Sequence, residues 1–186
     1  LTFLMLLVAT ATLVTAFVTH DFTVRYVSEH SSLAMAPWLT WVAFYAGNEG
    51  SLLFLATVFS GLSALAVSRA PSRFHMALPY TTAVLMGVVL FFTAVMATMA
   101  SPFEKLPLTP LDGQGINPLL THPGMFFHPP MLMSGLVGVA IPFAFAMGHL
   151  LAGQTGDEWV DVARTWGLIV WVILTIGLLL GAWWAY

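Results

Sequence analysis

Residues 74–100 read FHMALPYTTAVLMGVVLFFTAVMATMA, and Asp, Glu, Lys and Arg are absent from the whole stretch. An α-helix rises about 1.5 Å per residue and the hydrocarbon core of a bilayer is about 30 Å thick, so about 20 apolar residues in helix cross it. The stretch is longer than that. Its one proline, Pro79, falls in the first turns, where a missing N–H has no helical bond to lose. Four further stretches of the same kind lie on either side. Leu1 to about Thr19 is stopped by His20 and Asp21, and a second begins near Asn48 and Glu49, runs through Gly50 to Val67 and ends at Ser68 and Arg69. Pro129 to about Ala152 contains Pro142, which predicts a kink, and Thr165 to about Trp184 is the last. The expected fold is all-α: a polytopic transmembrane bundle of about five spans, one membrane domain over residues 1–186, with a proline-rich outer loop at 101–128.

Composition supports that reading. Of the 186 residues, 59% are hydrophobic and 7% charged, and the mean hydropathy is +0.91. Soluble domains carry about 25% charged residues, so these apolar faces are expected to meet lipid. The net charge of −3, with five basic residues, offers no surface for phosphate tracking, which excludes nucleic acid as a partner. Cysteine is absent. Disulfides, thiolate metal sites, iron–sulfur clusters and thiol catalysis go with it, and any metal must be held by His, Met or carboxylate. The chain opens at Leu1 inside an apolar run, with neither an initiator Met nor a basic leading segment, and reads as an excerpt rather than as a start with a cleaved signal peptide.

Five spans put the connections on two sides. Residues 20–47, 101–128 and the end at Tyr186 share one side, and 68–73 and 153–164 share the other. Arg69, Arg73 and Arg164 against Arg25 and Lys105 make the second side cytoplasmic by the positive-inside tendency, three to two. Trp38, Trp41, Trp183 and Trp184 on one side, and Trp159 and Trp166 on the other, suit interfacial belts. Gly135, Gly138, Ala140, Ala144 and Gly148 predict close approach of another helix to the fourth span. Seven of the eleven prolines lie between Pro102 and Pro130, so this connection is expected to be stiff without being helical. It also carries Ile116, Leu119, Leu120, Met125, Phe126 and Phe127, a run suited to resting on a membrane or covering a ligand.

His128 precedes Pro129 and Pro130 where this loop becomes the fourth span. A residue before proline is pushed to the extended region, so the helix is expected to begin at Pro129 with His128 at its cap. There the positive end of the helix dipole disfavours imidazolium and leaves a lone pair free for iron, as an axial haem ligand requires. The competing reading is an interfacial histidine bonded to a lipid or backbone carbonyl. The other histidines (His20, His30, His75, His122 and His149) form no i, i+4 pair and no cluster with ligand spacing, and His122 reads first as part of a satisfied polar loop, with a second outer ligand as the alternative. Glu49 has two readings. It is either an acid meeting the helix dipole in a first turn, or a carboxylate facing protein or water for a functional reason.

Three blocks, in order and with matching spacing over nearly the whole chain, resemble the F-type haem lyases (CcmF) of the multi-component System I pathway of cytochrome c maturation. The first is His20-Asp21-Phe22-Thr23-Val24-Arg25-Tyr26-Val27 followed by Gly47-Asn48-Glu49-Gly50-Ser51-Leu52-Leu53. The second runs from Ser101-Pro102-Phe103-Glu104 through Asn117-Pro118-Leu119-Leu120 to His128-Pro129-Pro130, and the third from Arg164-Thr165-Trp166 to Gly181-Ala182-Trp183-Trp184-Ala185-Tyr186. Departures from the family pattern occur at Tyr45, Asn48 and Met131 to Ser134. The resemblance implies that His128 is the first of two outward-facing histidines that ligate haem b, supported by Asn117, Pro118, Pro129, Pro130 and Glu49. It also implies that the partner histidine, the tryptophan-rich segment and the ligands of a second, structural haem lie beyond Tyr186. The implied activity is haem attachment to apocytochrome c at the outer face of the inner (cytoplasmic) membrane. A haem chaperone, thiol-handling maturation proteins and the remainder of the lyase are the implied partners, and the isolated chain is expected to be inactive. A related haem exporter or one-piece synthetase, a transporter using Glu49 and the Pro142 kink, and a structural subunit are the alternatives.

Overall fold

A computed structural model describes residues 1–186. Its long helices are α1 (Thr2–Val18), α4 (Asn48–Ser68), α5 (Leu78–Thr98), the pair α6 (Gly124–Gly138) and α7 (Ala140–Leu151), and α8 (Glu158–Ala185). Two short helices, α2 (Arg25–His30) and α3 (Leu39–Phe44), fold the first long connection. There are no strands, only an isolated antiparallel bridge between Val24 and Lys105. Four of the five expected spans are long and apolar enough to cross a bilayer: α4 and α5 at 21 residues, the α6–α7 pair at 28 and α8 at 28. The fifth, α1, is a shorter apolar helix of 17 residues. At helical rise it reaches about 26 Å. It ends where His20 takes a left-handed φ of 52° and the Asp21 N–H bonds back to the Ala16 carbonyl, which closes the last turn.

Three starts differ from the expectation. The third span opens with a 3₁₀ turn at Ser72–Phe74 and becomes α-helical only at Leu78. The last helix begins at Glu158, two turns before Thr165, with Glu158 and Asp161 in its first turn against the positive end of the dipole. That extension packs most of Trp166 into the bundle, at 8% exposure. The fourth span starts at Gly124, which puts Pro129 and Pro130 inside a helix that was expected to begin with them. Their missing N–H groups free the carbonyls of Met125 and Phe126. The Tyr45 hydroxyl reaches both, at 3.0 and 3.1 Å, so the helix continues across the pair. The break between α6 and α7 at Val139 lies three residues before Pro142, as a proline kink does.

Helices meet where side chains are small. A Cβ on Gly135 would meet the Leu174 backbone at 2.7 Å, and one on Gly148 would run into Thr81, so α6 lies on α8 and α7 on α5 at backbone distance. Thr10 of α1 and Thr57 of α4 share a hydroxyl hydrogen bond of 2.8 Å. The buried core includes Leu13, Phe17, Leu53, Phe59, Leu85, Ile141 and Phe145. Leu90, Phe91, Leu168, Trp171 and Leu179 turn outward, as they should in lipid or against further protein.

The connections divide as the sequence implied. Arg25 N–H donates to Glu104, Leu106 N–H to Thr23, Gln114 N–H to Ser28 and Gly115 N–H to Ser31, which sews residues 101–123 onto 20–47 at one end. We call this the loop end. At the opposite, arginine end, Arg73 pairs with Asp161 at 2.9 Å, joining the other two connections.

Candidate functional site: a histidine held between two helices

His128 stands in the second turn of α6, at the loop end, and faces α8. A carbonyl can only accept, so the 2.8 Å contact with Gly177 means that Nδ1–H donates to the Gly177 carbonyl. In the neutral ring this leaves Nε2 with its lone pair. Trp184 stacks beside the imidazole, with ring centroids 6.1 Å apart and planes 14° off parallel. A Cβ on Gly181 would meet His128 Cε1 at 2.6 Å. One turn of α8 therefore supplies the acceptor, the next supplies the gap, and Trp184 flanks the ring. The ring is half-buried. The expected cap position at a helix start is thus replaced by one inside the helix, where orientation comes from a hydrogen bond and a groove and not from a free helix end.

The proline loop lies alongside. Asn117 caps the 3₁₀ turn Pro118–Leu120, its side-chain oxygen accepting from Leu119 N–H at 3.0 Å. His122 Nδ1 accepts from Gly124 N–H at 3.0 Å, and its ring meets Trp183 edge-on at 5.3 Å. A shallow cavity of about 740 Å³ is walled by Pro118, Leu119, His122, Pro123 and Trp184. Trp184 links the two parts, lining this cavity with Pro118 and His122 and stacking beside His128, while Asn117, Pro129 and Pro130 are their neighbours along the chain. Of the apolar residues read in this loop, Leu119 and Phe127 are exposed and Met125 is buried.

Glu49 belongs to a different cluster. It sits in the first turn of α4 and lies 3.6 Å from Arg25, which also reaches Glu29 at 3.7 Å and Glu104 at 2.9 Å. The sequence places Arg25 in the first block and in the charge count but does not show that three carboxylates gather on it. Tyr26 packs below this cluster, accepting from Gly47 N–H at 2.9 Å and donating to the Phe44 carbonyl at 3.2 Å. Burial raises the Tyr26 phenol above its ordinary value of 10.0, the Glu49 charge adds to that, and backbone N–H groups of Gly47 and Gly50 oppose it. Burial also raises the Tyr45 phenol. A side chain at Gly50 would run into the Phe44 carbonyl oxygen, which is why the Gly-Asn-Glu-Gly turn needs its second glycine. The three carboxylates around Arg25 are turned to the guanidinium, and no group of three or more His, Cys, Asp or Glu side chains is arranged to hold a metal ion, so His128 is presented singly.

Fold and site together define a polytopic helical membrane protein that presents one oriented histidine, flanked by tryptophan and a stiff proline loop, at one end of the bundle. The chain belongs to the cytochrome c assembly protein family, whose model matches residues 45–186. It is 38% identical over 94% of its length to cytochrome c-type biogenesis protein CcmF of Escherichia coli (strain K12). It is 37% identical over 99% of its length to the Pseudomonas fluorescens protein of the same name. It also superposes on a solved structure of the cytochrome c haem lyase CcmF with a TM-score of 0.80, at 35% identity over 99% of this chain. The chain spans 27 to 28% of the length of these three proteins. The resemblance read in the three sequence blocks is the one these comparisons return.

Proposed function

We propose that this chain is the haem-holding front part of a cytochrome c haem lyase, with His128 Nε2 as an iron ligand. The observation that carries the proposal is the Nδ1–H bond from His128 to the Gly177 carbonyl, which commits one ring nitrogen to the protein and leaves the other for metal. The residues present suit haem as a substrate: an imidazole with one free nitrogen, an aromatic neighbour in Trp184, and an open cavity on which the same Trp184 borders. Asn117 and Pro118 shape the loop, Pro129 and Pro130 fix the helix that carries the ligand, and Glu49 ties the adjoining loop through Arg25. The second ligand belongs to the remainder of the lyase.

In this reading a cysteine thiol of the apocytochrome adds across a haem vinyl group. A C–S bond forms, the vinyl π bond is consumed and the thiol proton passes to the neighbouring carbon. The enzyme contributes position, since holding both reactants converts a bimolecular step into a local one. The nucleophilic sulfur is the substrate's. A haem chaperone delivers the haem and thiol-handling proteins keep the apocytochrome reduced. The loop end faces outward from the inner membrane and the arginine end faces the cytoplasm, in keeping with three arginines at the latter. A transporter reading loses its main support, because Glu49 is tied to Arg25 at the loop end.

The test replaces His128 by Ala in the complete lyase and follows haem retained and cytochrome c produced. Both are expected to fall at least tenfold. The His122→Ala variant, which loses the Gly124 N–H bond and the Trp183 contact but leaves His128 and its Gly177 bond in place, is expected to keep most of its haem. Unchanged haem content and yield in His128→Ala would remove this residue from the mechanism.

A further inference from the structure

At the arginine end, on the opposite end of α8 from His128, a cleft of about 490 Å³ opens between the end of α4, the Pro71–Arg73 segment and the first turns of α8. Asp161 and Ile169 line its α8 wall, and Gly181 lies about 24 Å from Thr165 along the same helix. The proposed haem site takes no part in it. The polar wall holds Arg69, Arg73 and Asp161. Arg73 is neutralised by Asp161 at 2.9 Å, and Arg69, exposed at the C-terminal end of α4, has no ion-pair partner. The cleft therefore carries two guanidinium groups against one carboxylate, a surplus of one positive charge. Leu65, Trp166 and Ile169 make the apolar wall, on helices that run into the membrane-spanning part of the bundle.

We propose that this cleft binds the phosphate group of an acidic phospholipid, with Arg69 as its principal contact and the acyl chains against Leu65, Trp166 and Ile169. A basic pocket between transmembrane helices at the membrane surface matches a lipid phosphate in both charge and position. The surplus of one charge matches a phosphodiester, which carries one negative charge. The apolar wall next to the guanidinium distinguishes a lipid from free phosphate, which has nothing to place there.

The experiment uses the complete lyase in nanodiscs of phosphatidylcholine containing a minor fraction of phosphatidylglycerol. The phosphatidylglycerol that stays with the protein after detergent exchange is counted by mass spectrometry. Wild type is expected to retain one more tightly held phosphatidylglycerol than Arg69→Ala, with retention at that site falling at least fivefold in the variant. Asp161→Asn, which releases Arg73, is expected to raise retention at least twofold. Both variants are expected to keep the haem content of wild type, which shows that the fold is intact. Equal retention by wild type and Arg69→Ala would overturn the proposal, as would Asp161→Asn holding no more than wild type. Displacement of the lipid by inorganic phosphate at equal concentration would also overturn it and assign the cleft to the free anion. Retention of phosphatidylcholine in place of phosphatidylglycerol would show that charge plays no part and overturn it too.

Discussion

The Tyr45 hydroxyl shares its one proton between two carbonyls, those of Met125 and Phe126, which Pro129 and Pro130 leave without helical partners. Removing it in Tyr45→Phe leaves both unsatisfied beside an apolar boundary and is expected to destabilise the bundle by about 1–3 kcal/mol. Thermal unfolding in detergent measures this, and an unchanged midpoint would show that water or lipid serves the carbonyls equally well. The same phenol gives a pH dependence. Burial raises the folded-state values of Tyr45 and Tyr26 above the ordinary 10.0, so the folded chain keeps protons that the unfolded chain releases at high pH. Their contribution is whole below pH 10 and drains away as pH rises above it towards the raised folded values. The midpoint is expected to fall above about pH 10, and to fall less steeply in Tyr45→Phe.

Among the elements, α6 and α8 form the contact on which the proposed site depends. Gly135 of α6 faces the Leu174 backbone, Gly177 of α8 faces the backbone of Leu132, and Gly181 faces the His128 ring. The small residues therefore do two things at once: they bring the helices together, and they leave the slot that the imidazole fills. Gly181→Ala puts a methyl 2.6 Å from His128 Cε1, so the ring must turn or shift. Haem retention by the complete lyase is expected to drop severalfold. Gly167→Ala on the same helix meets nothing within 4 Å and serves as the control, expected to be neutral or slightly stabilising through helix propensity. Equal haem retention in the two variants would show that the slot does not orient the ligand.

On the scale of the molecule, the loop end is one sewn unit and the bundle is an open one. Backbone bonds tie the proline connection to residues 20–47, and Arg25 links Glu29, Glu49 and Glu104 across the same end. In contrast, α8 is little covered, and Leu168, Trp171, Leu178 and Leu179 point away from the core. This chain supplies one histidine to the proposed site, and the relatives it matches are more than three times its length. The 186-residue chain expressed alone is therefore expected to take up at least tenfold less haem than the complete lyase, measured by Soret absorbance per protein. Equal uptake would place both ligands within these residues.

Spans, class and family were legible along the chain because each is written in local order. About twenty predominantly apolar residues with helical order are enough to cross a bilayer, and a block such as Asn117-Pro118-Leu119-Leu120 to His128-Pro129-Pro130 is read without knowing what it touches. The start of α6 was not legible. By local rules two prolines end or begin a helix, and what overrides them is a hydroxyl 80 residues earlier in the chain. The state of His128 has the same character, since the Gly177 carbonyl that selects its tautomer lies 49 residues away. By itself the sequence determined that this is an all-helical membrane protein of the cytochrome c assembly family. Only the tertiary structure decided which nitrogen of that ring is free and what holds it. The physical reason is that a hydrogen bond depends on the position of its partner in space, and periodicity along a chain does not encode that.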